Sequence, residues 1–321
     1  MAEPRRAGAS SRVLPVAAIA TVAVVFPSLV GHDPYYLYLG GTGLLFAALA
    51  SAWNLLAFAG QISFGHAAFF GAGAYASALL AQEAGWNPWL GVVAAWITGA
   101  GVAVPIGLAA HRLSGAYLAL ATLAYAEVWR VVAHNWTDVT GGGAGLIGIP
   151  PLPAPRVLLP VDLGPERARS YYLALALLAV ALLVFATLSR TRVGLAWAAI
   201  REREQRAELC GVASTPYKVL GFVCSGALTA AGGALYVHTV RFVEPDLVFG
   251  RGMSILPLVM ATFGGVRTLW GPPAGALLLY LASELWLAPL WPRLHQLPYA
   301  LALALVVLCL PRGLAGLGRG P

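Results

Sequence analysis

One short segment of this chain, 194–212, is unusually rich in charged side chains and has the sequence GLAWAAIREREQRAELCGV. It contains Arg201, Glu202, Arg203, Glu204, Arg206 and Glu208. Mixed positive and negative charges suit docking to another protein, where complementary patches determine register and partner choice. The segment therefore points to docking rather than to covalent chemistry.

Other chemical sites are not indicated by the sequence. The cysteines Cys210, Cys224 and Cys309 form no CxxC pair, and the six histidines show no HxxxH spacing. A disulfide framework and a metal site are therefore not expected. Lys218 is the single lysine, so no GxxxxGK[ST] phosphate loop exists and the chain cannot hydrolyse ATP by Walker chemistry. We expect no enzyme activity and no bound cofactor.

Composition predicts a membrane protein. Hydrophobic residues make up 59% of the chain and charged residues 10%, whereas a soluble domain carries roughly 25% charged residues. The basic balance of 20 Lys and Arg against 13 Asp and Glu is typical of topology signals in cytoplasmic loops. Nucleic-acid binding is not expected.

The elements that position the charged segment are predicted to be membrane helices. A helix needs about 20 mostly apolar residues to cross the hydrocarbon. We predict an all-α, polytopic, single-domain protein over 1–321 with an uncleaved first span. Most Arg residues fall on one side if both termini are cytoplasmic, as the positive-inside rule requires. The ten predicted spans are 13–30, 36–58, 62–81, 88–110, 115–134, 170–189, 219–240, 252–269, 272–290 and 296–311.

Two long segments connect these spans. The 135–169 segment is rich in Gly and Pro and is expected outside, whereas 190–218 is expected to be the long cytoplasmic loop. The periodicity within 193–211 predicts an amphipathic helix, with Glu202 and Arg206 paired at i, i+4. A lipid-surface anchor is one interpretation. Three glutamates argue instead for protein docking, since anionic lipids favour purely basic clusters.

Several motifs resemble one family of transport proteins. NLLAFAGQISFGHAAFFGAGAYASALL (54–80), GAYLALATLAYAEVWRVVAHNWTDVTGGGAGLIGIP (115–150) and RVGLAWAAIREREQRAELCGV (192–212) resemble permease subunits of branched-chain amino acid ABC transporters. FGGVRTLWGPPAGALLL (263–279) and LPRGLAG (310–316) fit the same family. The resemblance extends over almost the whole chain and is strongest to the subunit type carrying GLxGIP.

The resemblance implies a division of labour in the bacterial inner membrane. A homologous partner permease would pair with this chain, two cytoplasmic ATPase subunits would bind below, and a periplasmic or lipid-anchored binding protein would deliver a hydrophobic amino acid. The 190–218 loop would be the coupling loop that docks on the ATPase. The residues in its motif are Gly194, Ala199, Ile200, Arg201, Glu202, Glu204, Ala207 and Gly211.

Polar residues within predicted spans are candidates for the translocation path, because ionisable groups are costly at membrane depth. Glu127 and Arg130 are spaced to form a self-neutralising pair, or to shape the path. Gln61 and His66 border a glycine-rich segment, which is consistent either with a broken helix lining the path or with tight helix packing. The candidate path residues are Gln61, His66, Tyr117, Thr122, Glu127 and Arg130.

The extracytoplasmic glycine motif TGGGAGLIGIP (140–150) follows no predicted β-strand, so a nucleotide loop is discounted. We expect a tightly folded gate or docking surface whose glycines adopt positive φ. Its candidate residues are Thr140, Gly141, Gly142, Gly145 and Gly148.

Alternative functions remain at this stage. Related permeases carry urea, short amides or aromatic acids, and the sequence does not choose among these cargoes. An ion-gradient-driven secondary transporter would need buried coupling carboxylates, for which Glu127 and Glu284 are the candidates. An intramembrane enzyme would need clustered His, Asp or Glu, which the sequence lacks.

Overall fold

The computed structural model describes residues 21–153, 165–287, 289, 301 and 313–316. The predicted span 296–311 and the first part of 13–30 lie almost wholly outside these residues, as does 154–164 of the predicted outer loop. In the described part the regular secondary structure is helical apart from one antiparallel pair of two-residue strands.

The helices follow the predicted spans closely in most places. The long ones are α1 (described over 21–29), α2 (Pro34–Phe58), α3 (His66–Gln82), α4 (Pro88–Ala109), α5 (Gly115–Asn135), α7 (Glu166–Arg190), α8 (Arg192–Leu209), α9 (Ser214–Val240), α11 (Arg251–Gly264) and α12 (Gly271–Ala282). The short elements are α6 (Thr137–Thr140), a 3₁₀ turn (Gly142–Ala144), β1 (Leu146–Ile147), β2 (Phe242–Val243), α10 (Pro245–Val248), a π-helical turn (Ser283–Leu287) and a 3₁₀ turn (Leu314–Gly316).

Capping residues determine where α2 and α4 begin. The Asp33 carboxylate accepts a hydrogen bond from the Tyr35 amide at 2.8 Å, and the Asn87 side chain accepts one from the Trp89 amide at 3.1 Å. Each cap is followed by a proline at the first helical position, where the missing N–H costs no helical hydrogen bond.

Helix α9 lies at the centre of the bundle and packs against α2, α3, α4 and α7. Small residues allow these close crossings. A Cβ added to Gly73 of α3 would lie 2.2 Å from the Ala230 carbonyl oxygen, and one added to Gly233 of α9 would lie 2.0 Å from that of Phe70. Backbones that meet in this way are characteristic of packing between membrane helices.

Six helical segments in the described part are long and apolar enough to cross a membrane. With the family resemblance of the motifs, they identify a multi-pass membrane protein. The two glycine-rich spans differ from the prediction: α3 begins only at His66, and α11 ends at Gly264 before a turn that leads into α12. Both predicted spans, 62–81 and 252–269, are therefore shorter as helices than their hydropathy suggests.

One end of the bundle is formed by α8 with Phe58, His111 and Arg267, and we call it the α8 end. The opposite end carries the β1–β2 pair, in which Leu146 pairs with Val243 and Ile147 with Phe242.

Candidate functional site

Helix α8 consists of two helical pieces. Arg203 adopts extended backbone angles (φ −156°, ψ 104°) and breaks the helix between them. The expected i, i+4 pair between Glu202 and Arg206 is therefore wrong, because the break removes the helical spacing, and Glu204 pairs with Lys218 instead. The predicted amphipathic character holds, since the side of α8 that faces the bundle is buried at Gly194, Ala196, Trp197, Ile200 and Ala207.

The first piece of α8 is held by Trp197. Its indole is fully buried, and Nε1 donates a hydrogen bond to the Tyr217 carbonyl oxygen at 2.7 Å. The Phe58 ring meets it edge-on at 6.4 Å between centroids. A large buried aromatic with a satisfied N–H makes this contact both apolar and directional.

Arg201 connects α8 to the end of α2. Its guanidinium donates to the Phe58 carbonyl oxygen at 3.0 Å and lies 5.3 Å from the centre of the Phe58 ring. Burial, and then the positive charge of Arg267, lower the pKa of Arg201, while Glu202 raises it. Arginine remains protonated after such shifts. The Arg201 guanidinium therefore places a positive charge beside Phe58 at the end of α2.

Gly60 is the counterpart of Arg201 on the segment that joins α2 to α3. A Cβ added at Gly60 would lie 2.9 Å from the Arg201 Cβ, and Gly60 itself has φ +82°. Only glycine tolerates both the close approach and this backbone conformation.

The second piece of α8 is tied to α9. The Lys218 side chain is 2% exposed, forms an ion pair with Glu204 at 2.6 Å and donates to the Ala110 carbonyl oxygen at 2.9 Å. Ser214 also donates to the Glu208 carboxylate. Gly211 follows the helix with φ +85° and is exposed. It therefore terminates this piece rather than contributing to its buried side.

The remaining side of α8 faces away from the bundle. It combines charged and apolar side chains, with Leu195 72% exposed and Leu209 89% exposed. Charges of both signs on an exposed side can complement a charged partner surface. The exposed side chains of α8 are Arg192, Leu195, Glu202, Arg203, Gln205, Arg206, Glu208 and Leu209.

The predicted path residues Gln61 and His66 border a real interruption between α2 and α3. Residues 59–65 are not helical, and hydroxyl groups satisfy the freed amides: Phe64 N–H donates to Thr122 Oγ1 at 2.9 Å, and Ala67 N–H donates to Ser254 Oγ at 2.9 Å. Gln61 is 6% exposed. Broken helices of this kind persist where neighbouring side chains complete the hydrogen bonding.

His66 is fully buried, and its Nε2 lies 2.9 Å from Ser225 Oγ, which donates to the Ala52 carbonyl oxygen. Its Nδ1 has no hydrogen-bond partner among the described residues. In this structure His66 therefore packs between helices, with a hydrogen bond that joins α3 to α9. The sequence does not single out Ser225 or Ser254 as site residues. The feature that could have indicated them is a single hydroxyl side chain within an apolar stretch.

The four α5 candidates do not share one environment. Thr122 is 1% exposed and caps the 59–65 segment, whereas Tyr117 is 76% exposed on the outside of the bundle. Glu127 and Arg130 form the expected pair, and Arg130 extends it to Asp246 of α10 at 2.6 Å. These two residues therefore link α5 to α10, and their partial exposure leaves them accessible from the α5 surface.

At the opposite end, the glycine motif folds as a tight turn. Gly141, Gly142, Gly145 and Gly148 have φ between +58° and +82°, which matches the expected positive φ. The Thr140 hydroxyl accepts a hydrogen bond from the Gly142 amide at 3.3 Å. A Cβ on Gly145 would lie 2.0 Å from the Val243 carbonyl oxygen, because the motif packs against β2.

His238 fastens the end of this motif to the bundle. The Pro150 carbonyl oxygen lies 2.7 Å from His238 Nδ1, and Ser77 Oγ lies 2.8 Å from Nε2. A carbonyl only accepts, so Nδ1 carries the proton and Nε2 accepts from Ser77. Within the described part, no group of three His, Cys, Asp or Glu is arranged to hold a metal ion.

Comparison with known proteins agrees with this architecture. Residues 35–310 match the family model described as branched-chain amino acid transport system, permease component. The high-affinity branched-chain amino acid transport system permease protein LivM of Salmonella typhimurium is 27% identical over 84% of this chain and 67% of its own length. LivM of Escherichia coli is 26% identical over the same shares.

A second type of relative matches over a shorter region. LivH of Escherichia coli is 29% identical over 39% of this chain and 40% of its own length. No solved structure matches the chain. Because the family model covers most of the chain, the protein belongs to the family of permease components of branched-chain amino acid transport systems.

Proposed function

We propose that this chain is the permease subunit of an ATP-binding-cassette importer for branched-chain amino acids in a bacterial inner membrane. The observation that carries the proposal is α8: one side is fastened to the bundle, and the other presents exposed charges and leucines to a partner. The chain has no phosphate-binding lysine motif of its own. We therefore expect a separate ATPase subunit to bind the exposed side of α8.

The mechanism we propose is alternating access. Two cytoplasmic ATPase subunits bind the exposed side of α8 and its counterpart on a homologous partner permease, and their closure moves α8. Three contacts transmit that movement: Trp197 with Tyr217, Arg201 with Phe58, and Glu204 with Lys218. These contacts reach α9 and the end of α2, so displacing α8 displaces the centre of the bundle.

The path is proposed to run between the two permeases. This position is supported by the exposed surface of α5, which carries Tyr117, Glu127 and Arg130. Behind that surface lies the α2–α3 interruption, with the buried side chains of Gln61, His66 and Thr122. A periplasmic or lipid-anchored binding protein would deliver leucine, isoleucine or valine at the opposite end, where the glycine motif and β1–β2 lie. Both termini are then cytoplasmic.

The ion-gradient alternative has less support. A secondary transporter needs an ionisable carboxylate in its core, yet the buried polar side chains of the described part include no Asp or Glu. The candidate Glu127 is neutralised by Arg130. Urea, short amides or aromatic acids would use the same machinery with a different binding protein.

Reconstitution tests the proposal. Proteoliposomes holding this chain, its partner permease and the ATPases should import leucine only with ATP inside and binding protein outside. The double variant Arg201→Ala with Glu202→Ala should lose uptake and ATPase co-purification while still inserting. Glu83→Ala, an exposed charge at the opposite end, is the control for charge loss. Leucine uptake driven by a proton or sodium gradient without the ATPases would overturn the assignment.

A further inference from the structure

A cavity of about 190 Å³ lies between α8 and the bundle. Its walls come from four elements: the 59–65 interruption, the start of α5, the middle of α8 and the start of α9. Liquid water occupies about 30 Å³ per molecule, so the space corresponds to roughly six waters. That volume suits a single small metabolite.

The polar groups of the cavity carry both signs of charge. Arg201 and Lys218 supply positive charge, and Glu204 supplies a carboxylate. In the described part Arg201 donates one protein hydrogen bond, to Phe58, and Glu204 uses Oε1 for Lys218. The remaining guanidinium donors and the second Glu204 oxygen are therefore free to bind a ligand. The Gln61 amide and the Ser114 hydroxyl border the same space.

The rest of the lining is apolar. Its apolar side chains are Ile62, 49% exposed, and the buried Leu118 and Ile200. An inorganic anion would meet the Glu204 carboxylate, and a simple cation would meet Arg201 and Lys218. A ligand with a carboxylate, an ammonium group and an apolar side chain matches all three parts of the lining.

We propose that this cavity binds a zwitterionic apolar amino acid from the α8 end. Its carboxylate would bind Arg201, its ammonium group Glu204 and the Gln61 carbonyl oxygen, and its side chain Ile62 and Leu118. Such a ligand joins α8 to the α2–α3 interruption and to α5, so it holds α8 against the bundle. The consequence is product inhibition: accumulated amino acid slows further import. This inference rests on the proposed function for the identity of the ligand.

Direct binding tests the site separately from transport. The full complex of permeases and ATPases, in nanodiscs without binding protein, should bind radiolabelled leucine saturably. Ile62→Trp fills the cavity from one wall and Ser114→Phe from another. Each should weaken leucine binding by about tenfold or more. Ile97→Trp, at a 69% exposed position on α4, is the matched control and should bind like the parent.

Transport then tests the consequence. Leucine preloaded into proteoliposomes should slow ATP-driven uptake in the parent and in Ile97→Trp, but not in Ile62→Trp. The inference is overturned if the parent complex binds no leucine, if both filling variants bind normally, or if inorganic phosphate displaces the label. Uptake into empty proteoliposomes reports the proposed function independently. Normal uptake without leucine binding would therefore reject the cavity and leave the importer assignment standing.

Discussion

Gly60 packs so closely on Arg201 that a methyl group at Gly60 would lie 3.0 Å from the Arg201 Cα. The interruption between α2 and α3 thus directly contacts the charged helix α8, and we expect motion of one element to displace the other. A closely packed backbone contact cannot absorb displacement as a flexible side chain can. This contact makes Gly60 a sensitive position for coupling.

Gly60→Ala should therefore impair transport. The positive φ costs about 1–2 kcal/mol for a residue with a Cβ, and overpacking against Arg201 adds about 1–3 kcal/mol. Initial rates of leucine uptake and hydrogen exchange of α8 amides measure the effect. Gly85→Ala is the matched control, because Gly85 has φ +63° but no atom within 4 Å of the added Cβ. Equal effects of the two variants would show that the Arg201 contact is unimportant.

The Glu204–Lys218 pair is expected to be asymmetric. Lys218 is 2% exposed and Glu204 is 30% exposed, so Glu204→Ala leaves a buried ammonium group whose remaining described hydrogen bond is to Ala110. Breaking a buried pair in this way costs about 3–5 kcal/mol. Lys218→Met leaves a carboxylate that water can reach and should cost less.

A double-mutant cycle on thermal unfolding in detergent measures this asymmetry. The double variant should be more stable than Glu204→Ala alone, because the stranded charge is gone. The exposed pair Arg241–Glu166, with side chains 47% and 40% exposed, serves as the reference and should couple by about 0–1 kcal/mol. Additive effects at Glu204 and Lys218 would contradict the structure.

Glycines that serve packing should be distinguishable from glycines that do not. Gly73→Ala places a Cβ 2.2 Å from the Ala230 carbonyl oxygen, so α3 and α9 must separate, at about 1–3 kcal/mol. Gly101→Ala in α4 meets nothing within 4 Å and should be neutral or stabilising, by up to about 1 kcal/mol, through helix propensity. Melting temperatures of the purified variants provide the measurement. Destabilisation by Gly101→Ala equal to that of Gly73→Ala would refute the packing role.

The sequence predicts helices well where hydropathy and local caps agree. The capped helices α2 and α4 lie within two residues of their predicted spans at both ends, and so does α5, which hydropathy alone predicts. The sequence also predicts the positive φ of the glycines in the 140–150 motif, because this backbone conformation is a local preference of glycine. The start of α3 is different, because the hydropathy of 62–81 is continuous while the chain is not helical before His66. The interruption depends on hydroxyls from Thr122 and Ser254, which are distant in sequence.

The break in α8 has the same origin. Periodicity over 193–211 predicts one helix with Glu202 and Arg206 paired, but Glu204 finds Lys218 on another helix and Arg203 becomes extended. Pairing across elements is decided by tertiary packing, which local spacing does not encode. The family motif therefore marks the residues proposed for coupling, whereas the contacts that fasten α8 to the bundle are not evident from the sequence.

Membrane orientation can be read from cysteine labelling. Gln205 is exposed on α8, so Gln205→Cys should react with an impermeant maleimide only from the cytoplasmic side. Cys210 is also exposed on this segment, which requires Cys210, Cys224 and Cys309 to be replaced by Ser first. Ile147→Cys, at a 73% exposed position in β1 at the opposite end, should react only from the periplasmic side. Because β1 and α8 cap opposite ends of one bundle, the two positions must label from opposite sides. Labelling of Gln205→Cys in intact cells by the impermeant reagent would reverse the proposed orientation and place α8 beyond the reach of a cytoplasmic ATPase.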